Sequence, residues 1–585
     1  MTTSPLLDLP QEVILCILLH TPGEGLLKWY QVCRLFKCLI DNSAELQYLI
    51  ELYSCGYVPP SNPRRELLYT EKVQLLKQHQ RRWKSTSWTQ VDIYPLKRRN
   101  PNGSSSTYDF YGGIYAQGSS LIGGNHTRRL DFYQLPSINK GTPWKQWTLD
   151  LAVDTRDFVM QPEYDLLVLL ELKQTIPFPN SVAIDETDPD RTQYFTIHLR
   201  TLGTNKPHPD AARPTIDYST PSYRRTSSSF YFQIVGRYLA VQFLVTDAAG
   251  SDKFKLRVWD WTTGNDVTYI EPWQPGAETF TFLSDQLILV PSLEVASVGD
   301  GGLLNPRTHG KLAIFTFTEP TGNSPAEGAR RIASFDLPDS ENPFLDLRGL
   351  SCRCDPAPGP SSRSATRHDS HPRLFDLAPD NRVLCLKMKS TGLIPVDEIE
   401  STLYVQFTSL IGAVARLLEE PIDTPILNIP WKDWAKGTSW VDTDLLYAGN
   451  ECYVHGQRVV SVGLDHDDED DDLDGIAALM RRRSSLCIFD FDRTRNKREI
   501  SLTESEIEIF DPKNDMVLGT RGDGPSLRRI FVEGEHVADT PFSLRKTLIN
   551  ERLGEHYYVM VDDEHVVMAL QRPRRESSLI VYSFS

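Results

Sequence analysis

The sequence predicts a mainly β protein with a small α-helical domain at its N-terminus. Helix-patterned segments fill the first 55 residues, and a basic helical segment follows them. From residue 88 onwards, short apolar runs with period-two alternation recur, each bounded by Gly, Pro, Asp, Asn or Ser. The predicted domains are therefore 1–55, 56–87 and 88–585.

Size and charge limit the classes of function. The chain has 585 residues, of which 40% are hydrophobic and 24% are charged. This size allows about two to four domains, or one large repeat array with an appendage. The formal net charge is −16, with 13 Lys and Arg against 9 Asp and Glu in residues 1–100, so the remainder carries a net charge of −20. Because phosphate binding needs a basic face, we expect no nucleic-acid partner.

Cysteine usage and hydropathy indicate the compartment. Nine cysteines lie at irregular spacings, which is typical of free thiols in a reducing compartment. No stretch approaches the ~18–20 apolar residues of a membrane span. The apolar run near the start lacks a basic beginning, and Asp8 and Glu12 flank it, unlike a signal peptide. We therefore expect the protein to be located in the cytoplasm, the nucleus or both, and we expect no membrane partner.

The first 55 residues predict four short helices. Pro10 suits the first turn of a helix over residues 10–20, which "TPGEG" ends. Helices over 26–32 and 33–40 follow, and Ser43 is the predicted N-cap of a fourth helix, "AELQYLIEL". The first helix is apolar all the way round, which predicts burial on every side.

A helical unit this small needs support from outside itself. Units of about 45 residues bury little core and usually depend on disulfides, metal or a partner. The cysteine spacing here offers neither a disulfide set nor a zinc signature. The support therefore comes from the rest of the chain, as a helical cap on the downstream domain, or from another protein.

The segment "LLDLPQEVILCILLHTPGEGLLKWYQVCRLFKCLIDNSAELQYLIEL" resembles an F-box. It opens with the Leu-Pro-x-Glu pattern and continues with "LLKWYQVCRLFKCLI", in which Val-Cys-Arg lies at the expected separation. It departs from the family pattern in two places. The acidic residue that is often found between the first two helices is replaced by "PGEG", and Ile40 stands where a tryptophan often sits. The match covers about residues 5–50 and looks like the F-box proteins that are numerous in mushroom-forming fungi.

The resemblance implies a partner and a set of docking residues. F-box segments dock on a Skp-type adaptor and, through it, on the cullin of a ubiquitin ligase. Some of the motif residues would face the adaptor and others would fill the internal core of the helical unit. The positions that carry the motif are Leu9, Pro10, Ile14, Leu15, Leu18, Leu26, Leu27, Val32, Cys33, Phe36, Leu39 and Ile40.

Residues 63–84 predict a basic helix that begins at Pro63. Its apolar stripe is broken, and seven Lys and Arg residues make it basic. We interpret it as a connector that spaces the F-box-like unit from the acidic body.

The remaining 500 residues predict repeated β units. Seven segments have the pattern of a final strand of a unit, and an apolar strand precedes most of them. Strand units repeated at this spacing predict a β-propeller of about seven blades, with other multi-sheet all-β folds such as a pair of β-sandwiches as the alternative. Disordered insertions are expected near 356–372 and 465–484. The seven segments are 128–137, 194–203, 254–264, 311–320, 401–410, 484–494 and 577–585.

One of these strands resembles the end of a WD repeat. "VWDWTTG" places Trp259, Asp260 and Gly264 as in that family, but the Gly-His pair upstream is missing and no other unit repeats the signature. The resemblance implies a degenerate, WD-like propeller.

Motifs for chemistry are missing from the sequence. Asp470, Asp472, Asp474 and Gly475 fit the start of a calcium-binding loop, but Arg481 stands where a bidentate glutamate is needed. Hydrolase, metalloprotease, P-loop and dinucleotide-binding signatures are not found. We therefore expect no catalytic residues, no metal and no cofactor.

The expected function is that of a non-catalytic substrate receptor in a Skp–cullin–F-box ubiquitin ligase. The F-box-like unit would bind the adaptor and the propeller would bind a substrate protein of unknown identity. Two alternatives stay open: an adaptor-binding interaction protein outside any ligase, and a propeller enzyme with a helical cap.

Overall fold

The structure is a computed structural model of the whole chain. The structure describes residues 6, 9–85, 87–96, 107–120, 126–173, 192–221, 230–246, 252–271, 276–295, 308–318, 326–338, 346–358, 371–391, 398–415, 425–441, 453–465, 483–492, 508–510, 542–549, 557–570 and 577–584.

The N-terminal region folds as the sequence predicts, into four short helices. Proline precedes the first two helices, and the Ser43 hydroxyl accepts a hydrogen bond from the Leu46 N–H (3.4 Å) at the start of the fourth helix. The four predicted helices are thus confirmed. Their bounds are α1 (Gln11–Leu19), α2 (Gly23–Val32), α3 (Arg34–Asp41) and α4 (Ala44–Ser54).

The connector begins its helix later than predicted. β1 (Tyr57–Val58) follows α4, then comes α5 (Tyr69–Ser85), and β2 (Gln90–Pro95) follows α5. The predicted start at Pro63 is wrong because the chain is tied down there: the Arg64 N–H donates to the Arg373 carbonyl (3.0 Å). This backbone pairing with a distant segment prevents helix formation before Leu68.

The rest of the described chain is almost entirely β. Sheet A is a seven-stranded antiparallel meander in which β6 is shared. The first half of β6 pairs with β5, its second half pairs with β7, and the register shifts in both pairings near Thr155. Sheet A consists of β3 (Tyr108–Tyr111), β4 (Ile114–Ser119), β5 (Thr127–Gln134), β6 (Lys145–Gln161), β7 (Leu166–Lys173), β8 (Thr192–Thr201) and β9 (Thr215–Pro221).

Sheets B and C each have four antiparallel strands and a fifth, short strand that pairs in parallel on the outer edge. Sheet B consists of β10 (Phe230–Val235), β11 (Tyr238–Thr246), β12 (Asp252–Asp260), β13 (Asn265–Ile270) and β17 (Glu327–Gly328). Sheet C consists of β14 (Thr281–Ser284), β15 (Leu287–Val295), β16 (Thr308–Thr316), β18 (Arg330–Asp336) and β23 (Leu427–Ile429).

Sheets D and E are also antiparallel, and a separate short strand, β20 (Asp376–Leu377), pairs with β1. Sheet D consists of β19 (Asp346–Arg353), β21 (Val383–Thr391), β22 (Glu398–Gln406) and β24 (Thr438–Val441). Helices α6 (Phe407–Val414) and α7 (Trp431–Trp434) lie between β22 and β24 in the chain. Sheet E consists of β25 (Val454–His455), β26 (Arg458–Asp465), β27 (Arg483–Asp490), β29 (Phe542–Ile549) and, outside it, β28 (Glu508–Phe510).

Sheet F is built from both ends of the chain. Three strands come from the C-terminal region, β30 (Tyr557–Val561), β31 (His565–Leu570) and β32 (Ser578–Ser583). The fourth is β2, which pairs antiparallel with β32 from Gln90 opposite Ser583 to Pro95 opposite Ser578.

Apolar clusters lie between consecutive sheets. Clusters join A to B, B to C and C to D, and one large cluster joins D, E and F. A further cluster joins F back to A, with Met560 and Val567 packed among Tyr115 and Tyr133. The sheets are thus arranged so that the last one packs against the first.

The seven predicted strands are confirmed in position, but the prediction that each is the last strand of its unit is wrong. The strand-forming part of each of the seven predicted segments lies in β5, β8, β12, β16, β22, β27 or β32. These are not final strands, because each pairs on its far side with one more strand, such as β13 beyond β12 and β2 beyond β32. Trp259 and Asp260 of the WD-like stretch are the last two residues of β12 and are buried. Most of the two predicted insertions, 359–370 and 466–482, lies outside the described residues.

Trp83 anchors the end of α5 in sheets E and F. Its ring stacks on Phe584 at 4.0 Å, and its Nε1–H donates to the Asp563 carbonyl (2.9 Å). The Arg458 guanidinium lies 4.3 Å from the ring centre as a buried cation–π contact. The connector is therefore part of the packed structure and not a free spacer.

No helix within the described ranges is long and apolar enough to cross a membrane.

We expect Trp83→Ala to destabilise the protein by about 3–5 kcal/mol, because it removes a fully buried indole together with its hydrogen bond. Urea denaturation followed by circular dichroism measures the change in the free energy of unfolding. The matched control is Leu68→Ala, at a side chain that is 69% exposed, for which we expect a change within about 0.5 kcal/mol. A loss below about 1 kcal/mol for Trp83→Ala would contradict the anchoring role.

Candidate docking surface

The structure divides the twelve motif residues into two groups. Six are buried in the small core of the helical unit and six lie at its surface, so the motif serves both the fold and an outward face. The buried residues are Ile14, Leu18, Leu26, Phe36, Leu39 and Ile40. The surface residues, partly or largely exposed, are Leu9, Pro10, Leu15, Leu27, Val32 and Cys33.

Helix α1 has two apolar faces. Ile14 and Leu18, four residues apart, point into the core and are 1% exposed. Val13 and Ile17 have the same spacing on another face and are 42% and 41% exposed, and Leu9, just before the helix, is 38% exposed. The expectation that this helix is buried on every side is therefore wrong for the chain by itself, because one apolar face lies open to solvent.

Val13 and Ile17 were not among the predicted docking residues. The sequence signal that identifies them is their spacing of four residues, in register with Leu9 and out of register with Ile14 and Leu18. We call Leu9, Val13 and Ile17 the α1 stripe.

The junction of α2 and α3 forms a second part of the surface. Val32 ends α2 with 62% of its side chain exposed, and Cys33 follows in an extended conformation that breaks the helix. Beneath them, Phe36 packs against Trp29 with ring centres 4.8 Å apart. This aromatic pair, of which Phe36 is buried and Trp29 partly buried, fixes the turn between the two helices and so fixes the exposure of Val32.

Helices α4 and α5 hold the helical unit against the sheets. The Tyr48 hydroxyl donates to the Leu374 carbonyl, and the Tyr57 ring stacks on Phe375 at 4.0 Å. Val73 and Leu76 of α5 are buried in the same apolar cluster. The surface that carries the α1 stripe is therefore attached to the β body by an apolar core of its own.

A turn rich in acidic residues lies beneath α5. Between β30 and β31, the Asp562 carboxylate accepts hydrogen bonds from the N–H groups of Glu564 (2.8 Å) and His565 (2.7 Å). The Glu564 carboxylate accepts from the Ser137 hydroxyl and from the N–H groups of residues 138 and 139. The turn thereby ties sheet F to the segment that follows β5.

Two histidines pair with this turn. His565 Nδ1 lies 3.1 Å from Asp562 Oδ1, and His455 Nε2 lies 2.8 Å from Asp563 Oδ1. Burial alone disfavours the charged imidazole of His455, but the Asp563 carboxylate outweighs burial and raises the pKa. For the same reasons the pKa of His565 is raised by Asp562 against the effect of burial. Burial opposes ionisation of Asp563, but His455 holds its pKa below the usual range.

Each acidic group and each histidine of this turn already has a partner within the chain. No group of three or more His, Cys, Asp and Glu side chains among the described residues has the geometry of a metal site. The turn could not be identified as an anchor from the sequence, because the partners outside it, Ser137 and His455, are more than a hundred positions away. Its signal is three successive acidic residues and a histidine between two apolar strands.

The histidine pairs predict a pH dependence of stability. A pKa raised in the folded state gives stability that is fully present below the unfolded pKa of about 6.5 and is lost as pH rises through the folded pKa. We expect the wild type to lose more unfolding free energy between pH 6 and 8.5 than His455→Gln, by about 1.4 kcal/mol for each pH unit between the folded and unfolded pKa of His455. Urea titrations at the two pH values measure this difference, and equal losses for both proteins would contradict it.

Comparisons with known proteins give no family. No family model matches the chain, and no curated protein matches its sequence. A chain from Drosophila Plexin A in complex with Semaphorin 1b is 6% identical with a TM-score of 0.32, covering 85% of this chain and 88% of that chain. Lignostilbene dioxygenase from Pseudomonas brassicacearum is 11% identical with a TM-score of 0.22, covering 50% and 60% of the two chains. At these TM-scores neither likeness supports an assignment of fold or function.

Proposed function

We propose that the β body is a propeller of seven blades. Sheet A counts as two blades that share β6, and sheets B to F supply five more, each with a meander of four strands. The support for a ring is the series of apolar clusters between neighbouring sheets, together with the cluster that joins sheet F to sheet A. In such a ring β2 closes the seventh blade, so that no wide gap is left between the first and last sheets.

Electron microscopy of negatively stained particles tests the proposed ring. We expect round, disc-shaped class averages with seven lobes and a central channel, and a small projection from the helical unit. Elongated particles with two lobes, as a pair of β-sandwiches would give, would contradict the propeller.

We propose that the protein is a substrate receptor of a Skp–cullin–F-box ubiquitin ligase. The observation that carries this proposal is the α1 stripe: three apolar side chains, each about two-fifths exposed, of which Val13 and Ile17 lie on α1 and Leu9 lies just before it in the Leu-Pro-x-Glu pattern. Complete burial of an apolar side chain of this size is worth about 1.5–3 kcal/mol relative to full exposure. Each stripe residue is already about three-fifths buried, so a partner helix that covers it gains about two-fifths of that energy per residue.

The contacts of the helical unit agree with this role. The six buried motif residues form the core that keeps the α1 stripe in place, and α4 and α5 bind that core to the sheets. A substrate held on the proposed propeller would then stay at a restricted distance from the adaptor, which raises its effective concentration near the ligase. The protein itself supplies no chemistry in this mechanism.

Co-purification with a Skp-type adaptor tests the docking. We expect Leu9→Ala/Pro10→Ala and, separately, Val13→Asp/Ile17→Asp to weaken adaptor binding at least about tenfold, which corresponds to about 1.4 kcal/mol. Leu68→Asp, at an exposed apolar residue outside the helical unit, is the matched control and should bind as the wild type does. Ile14→Ala should instead lower the free energy of unfolding, because Ile14 belongs to the core.

Undiminished adaptor binding by the folded double variants would contradict the docking surface. A cullin immunoblot of the same eluate separates the alternatives. Adaptor with cullin supports the ligase role, and adaptor without cullin favours an interaction protein outside the ligase. No adaptor at all leaves the propeller enzyme with a helical cap as the remaining alternative.

A further inference from the structure

Strand β2 is an outer edge strand with apolar residues on its exposed side. Val91 is 43% exposed and Ile93 is 58% exposed, and because they are two residues apart they lie on the same face of sheet F. Natural proteins usually protect such edges with charges, with proline or with a covering segment.

The hydrogen-bond pattern fixes which backbone groups of β2 are available. The Leu96 N–H donates to the Ser577 carbonyl (2.9 Å), and the Phe584 N–H donates to Glu564 (2.8 Å) on the other side of β32. Since the bonds alternate along antiparallel strands, Asp92 and Tyr94 bond to β32. The N–H and C=O groups of Val91 and Ile93 therefore point outward, and Pro95, at the next outward position, has no N–H to offer.

Three other sheets of this chain carry an added strand at the same place. β17 extends sheet B over two residues, β23 extends sheet C over three, and β28 extends sheet E over three. The free stretch of β2, from Val91 to Ile93, has the same length as two of these additions, β23 and β28. Within the described residues, β2 pairs only with β32.

The outer strands of sheet A show why β2 differs. Where β9 and the first half of β6 lack an added strand, their exposed side chains are polar apart from Ala152, as at Asp217, Ser219, Lys145 and Asp150. β2 instead presents two apolar side chains to solvent, and the outermost strand of sheet C, β23, presents a single one, Leu427, which is 38% exposed. With Val91 and Ile93 together, β2 has the composition of an edge that another strand covers.

The face of β2 opposite Val91 and Ile93 carries a negative charge. Asp92 lies there, held by a hydrogen bond from the Gln90 amide (2.6 Å), and no lysine or arginine in the described part of the chain forms an ion pair with it. A second copy of β2 paired antiparallel around Asp92 would set two aspartates opposite each other, which is unfavourable. A strand with a basic residue at that position would gain an ion pair instead.

From these observations we infer that β2 is a docking edge for an extended segment of a partner protein, with the pattern apolar–basic–apolar. The segment adds a strand to sheet F through the backbone groups of Val91 and Ile93. Its two apolar side chains cover Val91 and Ile93, and its Lys or Arg lies opposite Asp92. This inference does not depend on the proposed ligase role.

The test uses the fluorescein-labelled peptide GTVKVTG and fluorescence anisotropy with the full-length protein. We expect saturable binding below about 1 mM. Ile93→Lys should weaken binding at least about tenfold, because it places a charge on the edge and repels the basic peptide. Because the Ile93 side chain is 58% exposed, the variant should keep the wild-type unfolding midpoint. Leu68→Lys is the matched control.

Chemical variants of the peptide distinguish binding by backbone hydrogen bonds to β2 from non-specific hydrophobic binding. Methylation of the two valine nitrogens removes the N–H groups that face β2 and should abolish binding, whereas methylation of the lysine nitrogen should preserve it. Replacement of the peptide lysine by glutamate should weaken binding to the wild type more than to Asp92→Asn.

Three results would overturn the inference: no binding of the peptide to the wild type, equal binding by Ile93→Lys, or equal binding of both methylated peptides. A wild type that sediments as a dimer and becomes monomeric with Ile93→Lys would assign the edge to a second copy of the chain and would also overturn it.

Discussion

The pairing of β2 with β32 is the interaction on which the rest of the arrangement depends. It joins residue 90 to residue 583 and completes a sheet from the two ends of the chain. Closing a loop of this length costs entropy, which the ladder of β2 and the apolar cluster between sheets F and A must offset. Because α5 ends five residues before β2, the same pairing fixes where the helix ends and brings Trp83 onto Phe584.

The helical unit gains its order from this attachment. Its own core holds only a handful of fully buried side chains, which is too little for independent stability at this size. The second apolar cluster, which Tyr48, Leu52 and Val73 form with Phe375, connects that core to the sheets. The result is a unit that stays folded and still exposes one apolar face of α1. Of the two explanations left open by the sequence, support from the rest of the chain is confirmed for the face of the unit that α4 and α5 cover.

Sequence reasoning found the elements whose signal is local. The four helices and the strands β5, β8, β12, β16, β22, β27 and β32 have a strong local signal, because runs of apolar residues mark the buried faces of these elements. The outer strands were missed, since they are half exposed and polar, as in the exposed Asp217 of β9. The two- and three-residue strands such as β17 carry no pattern that could be recognised. The start of α5 was misplaced because the backbone at Arg64 pairs with Arg373, a partner that is more than three hundred residues away.

The same limit applies to the candidate site. The motif residues could be identified from their spacing, but their division into core and surface required the packing of α1 on α2 and α3. The acidic turn at 562–565 and the free edge of β2 depend on which strands meet, and this information is not local.

Hydrogen exchange of the β2 amides tests the closure of the chain most directly. We expect the amides of Asp92, Tyr94 and Leu96 to exchange only through global unfolding, whereas those of Val91 and Ile93 exchange freely. Uniformly fast exchange of all five amides would contradict the claim that β2 completes the last sheet.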